Sequence, residues 1–156
     1  MPIKIRKFRS CDIDRITEIE KDSFPAGAYT KRRLTNLARN HPNDFLLAEV
    51  AGKIAAYLIV CQRSKVADLA SLAVDKPYRD SGIGKSLVNF VLNKSKKKGL
   101  KKASLEVRTD NQKAISFFED LDFKIVKVLK KYHRDGTDAY RMEKALNQSF
   151  SISAAK

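Results

Sequence analysis

Residues 66–107 show a strand pattern, a helix pattern and a second strand pattern in turn, an order that constrains how the two strands can pair. An apolar strand pattern runs from about Val66 to Val74. It is followed by a loop that contains Gly82 and Gly84, and then by an amphipathic helix that runs to Lys97. Gly99 ends the helix, as a glycine at this position commonly does, and a second apolar strand follows. Because strands that alternate with single helices are typical of sheets with parallel central strands, this segment predicts a parallel pair at the centre of a sheet.

The elements on either side of this segment complete the prediction. One strand, two helices and an apolar hairpin come before it. Thr30 is placed to cap the second of these helices, which is predicted to run to about Asn40. The two strands of the hairpin are predicted over Phe45–Val50 and Ile54–Cys61. A helix over residues 111–121 and two strands joined by a turn at residues 134–136 follow it. This order predicts an α/β (α+β) fold, with a mixed central sheet of about seven strands and helices on both faces. We expect residues 1–146 to form a single domain and the polar residues 147–156 to be a disordered tail.

The composition argues against membrane insertion and export. No stretch approaches the roughly 20 consecutive apolar residues that a membrane-spanning helix needs. The first residues, Met-Pro-Ile-Lys-Ile-Arg, lack the apolar core of a signal peptide. Cys11 and Cys61 have no metal-ligand neighbours in the sequence, so we interpret them as reduced thiols. These features predict a cytoplasmic protein with no membrane contact and no bound metal.

The chain is strongly basic, with 32 Lys and Arg against 18 Asp and Glu and a net charge of +14. This surplus predicts attraction to anions, among them phosphorylated cofactors, nucleic acids and ribosomes. Much of it lies in lysine runs such as residues 94–98, which are also typical of a solvated surface, the interpretation that we favour. No aromatic residues cluster between basic ones, as they would in a surface that stacks RNA bases. Nucleic-acid contact stays open beside the solvated surface.

The loop "YRDSGIGKS" (residues 78–86) resembles two phosphate-binding motifs and fits neither. A nucleoside-triphosphate loop needs a glycine where this chain has Arg79, and a dinucleotide fingerprint needs one where it has Leu87. The two glycines still let the backbone N–H groups of residues 80–85 approach an anion, at a helix N-terminus that also carries Lys85. The loop therefore predicts a diphosphate site without a metal ion. A helix start that uses glycines for close packing is the alternative.

The loop belongs to a longer pattern. The sequence "LAVDKPYRDSGIGKSLV", followed further along by "LEVRTDNQKAISFFEDLDF", resembles the GNAT acetyltransferases. More narrowly, the chain resembles the RimI-like and archaeal protein N-terminal acetyltransferases, over nearly its whole length from Ile3 to Glu143. The resemblance implies the GNAT fold, acetyl-CoA as the cofactor, and direct attack of a protein's N-terminal α-amine on the thioester. Lysine or small-amine acetylation, and a non-catalytic basic module on the same scaffold, stay open as alternatives.

The resemblance also implies which residues bind the cofactor. The strand before the loop holds the pantetheine arm through its backbone, and the loop holds the pyrophosphate. A backbone N–H freed by a bulge, for which Val74 is the candidate, polarises the thioester carbonyl as in an oxyanion hole. Asn111 has a second interpretation as a helix N-cap. The implied cofactor-binding residues are Leu72, Ala73, Val74, Arg79, Asp80, Ser81, Gly82, Ile83, Gly84, Lys85, Asn111 and Phe118.

Glu106 is the implied general base, which takes the proton of the attacking amine through a water molecule. It lies mid-strand in "LEVR", where its side chain points away from those of its apolar neighbours and needs a solvated cleft or a partner. A solvent-facing residue, or an ion pair with Arg108, is the alternative. Asp68 is implied as a second base, with an ordinary strand-end carboxylate as its alternative. The chain departs from the family at Phe118, where RimI-like enzymes usually have a tyrosine that donates a proton to the leaving thiolate.

The acceptor side resembles that of the N-terminal acetyltransferases in two segments. Phe24, Pro25 and Tyr29 match the peptide-contacting loop between the first two helices. Tyr132 and His133 match paired tyrosines in the last hairpin, and simple hairpin packing is their alternative. An α-amine, with a pKa of about 8, is easier to deprotonate than a lysine at about 10.4, by about 3 kcal/mol. We therefore expect protein or peptide N-termini as the partners, among them ribosomal or nascent chains.

Overall fold

The computed structural model describes residues 2–146, and the elements follow one another in the predicted order. The α-helices are α1 (Ile13–Ser23), α2 (Lys31–Asn40), α3 (Ile83–Lys97) and α4 (Gln112–Glu119). The strands are β1 (Lys4–Lys7), β2 (Phe45–Val50), β3 (Lys53–Arg63), β4 (Val66–Val74), β5 (Lys102–Arg108), β6 (Lys124–Leu129) and β7 (Ala139–Ala145). The predicted tail, residues 147–156, lies outside the described residues.

The seven strands form one mixed sheet in the order β1-β2-β3-β4-β5-β7-β6. β4 and β5 pair in parallel, through Val66–Lys102, Ala67–Ala103 and Asp68–Ser104. The pairs β1–β2, β2–β3, β5–β7 and β6–β7 are antiparallel. The predicted mixed α/β sheet, its seven strands and its central parallel pair are therefore confirmed.

The described chain divides into two compact units. The first comprises residues 2–61 and 70–90, and the second comprises residues 62–69 and 91–146. Since β3, β4 and α3 each contribute residues to both units, the division does not follow element boundaries. That residues 1–146 form a single domain stays a prediction.

In the first unit, α1 and α2 cover one face of β2 and β3. The helices bury apolar residues at spacings of three and four, and the strands bury alternate residues, as the two periodicities require. The buried cluster that they form, called here the helix-face cluster, consists of Ile16, Ile19, Leu34, Leu37, Phe45, Leu47, Tyr57, Ile59 and Ala73. The alternate residues of the same strands are buried as well, at Leu46, Ala48, Leu58 and Val60. Both faces of this part of the sheet are therefore covered.

Local signals set where the helices of the described chain begin. Thr30 caps α2, since its side chain accepts a hydrogen bond from Arg33 N at 3.1 Å, as predicted. Asn111 caps α4 by accepting a hydrogen bond from Ala114 N at 3.1 Å. None of the helices among the described residues is both long enough and apolar enough to cross a bilayer.

In the second unit, β5 pairs with β7 along its whole length, from Lys102–Ala145 to Arg108–Ala139. This register places Glu106 directly opposite Arg141. Side chains directly opposite each other on antiparallel strands are close enough to interact. The register therefore fixes the charge that Glu106 meets.

Candidate active site

The glycine loop lies in the first unit and leads from β4 into α3. The chain turns through the 3-10 segment Lys76–Tyr78, which the side chain of Asp75 caps by accepting a hydrogen bond from Lys76 N at 3.1 Å. Gly82 has a φ of +86°, in the left-handed region that favours glycine. A Cβ atom at Gly82 would meet no protein atom within 4 Å, so the space beside the loop is open.

The first turn of α3 presents backbone N–H groups that have no acceptor inside the helix. The hydrogen bond from Ser86 N to Gly82 O, at 3.0 Å, closes the first turn, so the N–H groups just before it point out of the helix end. The helix dipole adds partial positive charge there, and Lys85 is exposed in the same turn. Ile83 and Gly84 are buried and contribute main chain, whereas Asp80 and Ser81 are exposed. Amides and a lysine around open space fit a diphosphate.

Arg79 fixes the loop to the rest of the first unit. Its Nε donates to the Val74 carbonyl oxygen at 2.9 Å, and its Nη2 donates to Ser23 Oγ at 3.3 Å. These bonds tie the end of β4, the loop and the end of α1 together. The guanidinium has further N–H donors, so its predicted contact with a pyrophosphate stays a prediction. The backbone roles of Leu72, Ala73 and Val74 stay predictions as well.

Glu106 lies in the second unit, on β5, with 16% of its side chain exposed. Its Oε2 atom is 2.8 Å from Nη2 of Arg141 on β7. The angles of this contact do not make a hydrogen bond, and Oε2 has no hydrogen-bond partner in the part of the chain that the structure describes. The carboxylate therefore forms an ion pair with Arg141, and its Oε2 atom can still accept a proton.

The predicted alternative, an ion pair between Glu106 and Arg108, is wrong. Arg108 pairs instead with Asp110 at 3.0 Å and with Asp135 at 2.8 Å. Glu106 and Arg108 are two positions apart on β5, so their side chains point to the same face of the sheet. Arg108 lies at the end of the strand, however, where Asp110 and Asp135 in the neighbouring turns are its ion-pair partners. Arg108 thereby holds the β6–β7 connection, and Arg141 is the partner of Glu106.

Burial raises the pKa of Glu106 above the usual range of a glutamate, because the charged form loses hydration. The negative charge of Asp68 raises the pKa further, while Arg141 and Arg63 oppose the shift. A carboxylate with a raised pKa is a stronger base, and removal of a proton from an amine requires one whose pKa approaches the working pH. Glu106 therefore has the properties of a general base.

Asp68 is the second carboxylate of this group. Its Oδ1 accepts a hydrogen bond from Ser104 Oγ at 3.1 Å, and its Oδ2 lies 3.6 Å from Arg63 Nη2. The parallel register of β4 and β5 places Asp68 opposite Ser104. The structure thus brings together the two carboxylates that the sequence nominated, close enough for the charge of Asp68 to raise the pKa of Glu106.

Tyr132 and His133 lie between β6 and β7, with their ring centres 5.1 Å apart and edge to face. Partial burial raises the pKa of Tyr132, and the charges of Glu106 and Asp68 raise it further, so the phenol stays protonated and can donate a hydrogen bond. His133 N donates to Thr137 O at 3.1 Å within the hairpin. Its Nε2 is buried and has no hydrogen-bond partner among residues 2–146.

The loop between α1 and α2, residues 24–30, carries the other predicted acceptor residues and is called here the acceptor loop. Phe24 and Tyr29 are half-buried and pack against the helix-face cluster, whereas Pro25 is exposed. Tyr29 Oη donates to the Ala70 carbonyl oxygen at 3.4 Å, which places the loop against β4. The structure therefore gathers the acceptor residues into two groups, one in each unit.

The chain matches the model of the acetyltransferase (GNAT) family over residues 13–123. The chain belongs to the GNAT acetyltransferase family. It is 31% identical to an N-alpha-acetyltransferase of Sulfurisphaera tokodaii over 152 residues, covering 89% of this chain and 90% of the relative. Its fold is similar to that of Ard1 from Thermoplasma volcanium, with a TM-score of 0.88 and 29% identity over 94% of this chain and 99% of the other. It is also similar to the ribosomal-protein-S18-alanine N-acetyltransferase of Escherichia coli, with a TM-score of 0.80 and 26% identity over 93% and 94%.

Family membership confirms the predicted enzyme class and cofactor. GNAT acetyltransferases transfer the acetyl group of acetyl-CoA, so this chain is an acyltransferase that uses acetyl-CoA. The glycine loop provides the amides and the open space that a coenzyme diphosphate needs. Among residues 2–146, no group of three or more His, Cys, Asp and Glu side chains is arranged to hold a metal ion.

Phe118 and Asn111 have structural roles in the second unit of this family member. The Phe118 side chain is 8% exposed, and its ring lies edge to face with Phe117 at 5.0 Å and with Phe123 at 5.4 Å. A buried phenyl ring in this position cannot donate a proton to a leaving group. Asn111 caps α4, so its structural interpretation is confirmed. The coenzyme contacts of both residues stay predictions.

Three charged residues of the site were not predicted from the sequence. Arg141 and Arg63 act on the pKa of Glu106, and Glu20, which is 2% exposed, bonds to the acceptor loop. Glu20 had a usable signal, because it follows Ile16 and Ile19 at the spacing that places all three on the buried face of α1. Arg141 and Arg63 had none, because strand register decides what they face.

Proposed function

We propose that this enzyme acetylates the N-terminal α-amino group of proteins. The observation that carries the proposal is Glu106, a largely buried carboxylate whose pKa is raised by its burial and by the charge of a second carboxylate, Asp68. Such a base suits an α-amine with a pKa of about 8, whereas a lysine would cost about 3 kcal/mol more to deprotonate. Relatives named for N-alpha-acetylation and for ribosomal-protein-alanine acetylation support the same substrate class.

The residues divide the work of the reaction among them. Bound acetyl-CoA supplies an activated acetyl thioester, which the amides at the start of α3 and Lys85 hold by its diphosphate. Glu106 takes the proton of the attacking amine, directly or through a water molecule, and Asp68 favours that uptake by its charge. The N–H of Val74 stabilises the developing oxyanion, a contribution of about 3 kcal/mol. Phe118 donates no proton to the leaving sulfur, and a thiol with a pKa of about 8.5 needs little such help.

Two groups of residues contact the acceptor in this proposal. Phe24, Pro25 and Tyr29 supply apolar surface from the acceptor loop, and Tyr132 donates a hydrogen bond through a phenol that stays protonated. His133 offers the ring nitrogen that lacks a partner within the described chain. Apolar and aromatic surface suits a peptide better than a small polyamine, whose charges would need carboxylates along their length.

A panel of short acceptors tests the proposal by release of free thiol from acetyl-CoA. Peptides with a free N-terminus and no lysine are expected to be acetylated, and the same peptides with a blocked N-terminus are expected to be inert. Blocked peptides with an internal lysine and a polyamine complete the panel. Turnover of the blocked lysine peptide without turnover of the lysine-free one would overturn the α-amine assignment. No turnover with any amine would favour the non-catalytic module.

Ribosomal or nascent proteins are the proposed partners. For the alternative of nucleic-acid contact, which stands beside the favoured solvated surface, the candidate surface is a lysine cluster. The cluster consists of Lys65, Lys96, Lys97, Lys98 and Lys101, all exposed. Lys101 N donates to Lys65 O at 2.7 Å and Lys98 Nζ to Gln62 Oε1 at 2.8 Å, so the end of α3 and the β3–β4 turn form one surface. Among the described residues, none of the five makes an ion pair. A helix C-terminus needs only about half a charge for its dipole, so the surplus is available to phosphates.

Charge reversal tests the lysine cluster. Lys96, Lys97 and Lys101 changed to Glu, and a control with Lys4, Lys21 and Lys53 changed to Glu, each lower the net charge by two per substitution, from +14 to +8. The cluster variant is expected to bind a structured RNA at least about tenfold more weakly, with a salt slope reduced by about two to three, whereas the control keeps most of the affinity. Equal losses in both variants would mean that only net charge matters.

A cytoplasmic location stays a prediction. Cys11 and Cys61 are not joined in a disulfide, which agrees with a reducing compartment.

A further inference from the structure

Glu20 is a carboxylate that the proposed reaction does not use, and it is buried in the first unit with 2% exposure. Burying a carboxylate is costly unless hydrogen bonds replace its hydration. Three donors do so here: Tyr57 Oη and Ser71 Oγ bond to Oε1, the second at 3.1 Å, and Tyr29 N bonds to Oε2 at 2.9 Å. Both oxygen atoms of the carboxylate therefore accept hydrogen bonds.

The three donors come from three different parts of the first unit. Tyr57 belongs to β3, Ser71 to β4 and Tyr29 to the last part of the acceptor loop. Burial raises the pKa of Tyr57, and the charge of Glu20 raises it further, so its phenol stays protonated and keeps donating. Two donors on the sheet thus hold the side chain, and the side chain holds the loop.

The acceptor loop is bound to Glu20 at both ends. At its start, Phe24 N donates to the backbone carbonyl of Glu20 at 2.9 Å, and Gly27 N then donates to Phe24 O at 3.1 Å. At its end, Tyr29 N donates to the side chain of the same residue. Glu20 therefore binds both ends of the loop. The positions of the Phe24 and Tyr29 rings depend on these hydrogen bonds.

We propose that Glu20 is a positioning residue that fixes the acceptor loop in the shape that binds the acceptor. The inference rests on the proposed function, in which Phe24, Pro25 and Tyr29 contact the acceptor. Glu20 acts through the loop, not on the reacting amine. Its removal changes peptide affinity and leaves coenzyme binding and the chemical step in place.

The donor pattern predicts which substitutions matter. Glu20→Gln keeps the hydrogen bonds that hold the loop. Its carbonyl oxygen can accept from Tyr29 N, and its NH₂ group can donate to the hydroxyls of Tyr57 and Ser71, because a hydroxyl group both accepts and donates. Glu20→Leu leaves three buried donors without an acceptor and frees the loop. The triple variant Glu20→Leu, Tyr57→Phe, Ser71→Ala removes the orphaned hydroxyls as well, which restores stability but does not retie the loop.

Steady-state kinetics with a lysine-free peptide separate positioning from catalysis. In Glu20→Leu and in the triple variant, the KM for the peptide is expected to rise about tenfold or more, the cost of one lost hydrogen bond. The kcat and the Kd for coenzyme A are expected to stay within about threefold. Glu20→Gln is expected to match the wild type within about threefold in every parameter. Val60→Ala, a core change on the face of β3 opposite Tyr57, controls for a general loss of stability.

Amide hydrogen exchange at Tyr29 supplies a readout that needs no substrate. Exchange is expected to accelerate about tenfold or more in Glu20→Leu and in the triple variant, and to stay unchanged in Glu20→Gln. The amide of Leu34, which donates to Thr30 O at 2.9 Å within α2, is the internal control. Unchanged Tyr29 exchange and unchanged peptide KM in the triple variant would overturn the inference. A fall in kcat of Glu20→Gln would do so too, by making Glu20 a base. If the wild type acetylates no peptide, the proposed function is wrong, whatever the amide hydrogen exchange at Tyr29 shows.

Discussion

Glu106→Gln is expected to lower kcat/KM for an acceptor peptide by about 10²- to 10⁴-fold, the range that a general base contributes. The substitution keeps the size of the side chain and its place opposite Arg141, but the amide cannot take a proton. The loss is expected in kcat, with the Kd for coenzyme A unchanged, because Glu106 meets the amine and not the diphosphate. Glu119→Gln, an exposed change on α4, is the control for the loss of one negative charge. Activity within about threefold of the wild type would refute the role of Glu106 as the base.

The pH profile sharpens this first prediction. Because burial and Asp68 raise the pKa of Glu106, the acid limb of the wild-type kcat/KM profile is expected at a higher pH than that of an ordinary glutamate. Glu106 acts as a base only above this pKa, so the rate falls as the pH falls through it. The limb is expected to disappear in Glu106→Gln, where only the titration of the amine itself remains. A limb that survives the substitution would belong to another group.

The same variant is expected to gain stability as it loses activity. A carboxyl group whose folded pKa is raised contributes stability below its unfolded pKa, and that contribution is lost as the pH rises through the folded pKa. The ionised Glu106 of the active enzyme is therefore a cost to the fold. Urea unfolding should show that the stability of Glu106→Gln, relative to that of the wild type, increases as the pH rises above about 4, the unfolded pKa of a glutamate, with no such trend for Glu119→Gln.

Local patterns carried most of the fold. β2 and β4 have the predicted limits, Phe45–Val50 and Val66–Val74, because each is an apolar run bounded by turn residues. The end of α2 at Asn40 and its cap at Thr30 were equally local. β3 runs from Lys53 to Arg63 and so extends beyond the predicted Ile54–Cys61 at both ends, because the polar residues at its ends lack the apolar pattern that marks a strand in the sequence.

Site residues could be predicted where their chemical type is unusual for their position in the sequence. Their interaction partners could not, because these depend on the pairing of strands that are distant in the sequence. Glu106 stood out as a carboxylate between apolar strand residues, and the structure gives it the raised pKa of a base. The ion-pair partner predicted for Glu106 was wrong. Arg108 is near in the sequence, whereas Arg141 is near in space because of the register of β5 and β7. Glu20 was passed over because an acidic residue on a helix is usually solvated. The spacing of Glu20 after Ile16 and Ile19 nevertheless indicated the buried face of α1. The structure adds the donors, Tyr57 and Ser71, that let a carboxylate lie there.

Gly82→Val is expected to weaken coenzyme A binding by about 100-fold or more, measured by calorimetry. At a φ of +86°, a β-branched residue is strained, and its side chain would enter the open space that the loop amides border. Either effect separates the diphosphate from the N–H groups at the start of α3. Because loss of this geometry affects all the N–H groups at the start of α3 together, we expect it to cost more than loss of one side chain.

Gly52→Val is the control that distinguishes the effect of backbone strain from the effect of blocking the coenzyme A site. Gly52 has a φ of +77° in the β2–β3 turn of the same unit, and a Cβ atom there also meets nothing within 4 Å. Both variants are expected to lose about 1 to 2 kcal/mol of stability, since both force a left-handed conformation on a branched residue. Only Gly82→Val is expected to lose coenzyme A, because only that glycine borders the amides of a helix N-terminus. If both variants bind coenzyme A as the wild type does, the diphosphate is held elsewhere, and the main-chain amides of α3 are not its ligands.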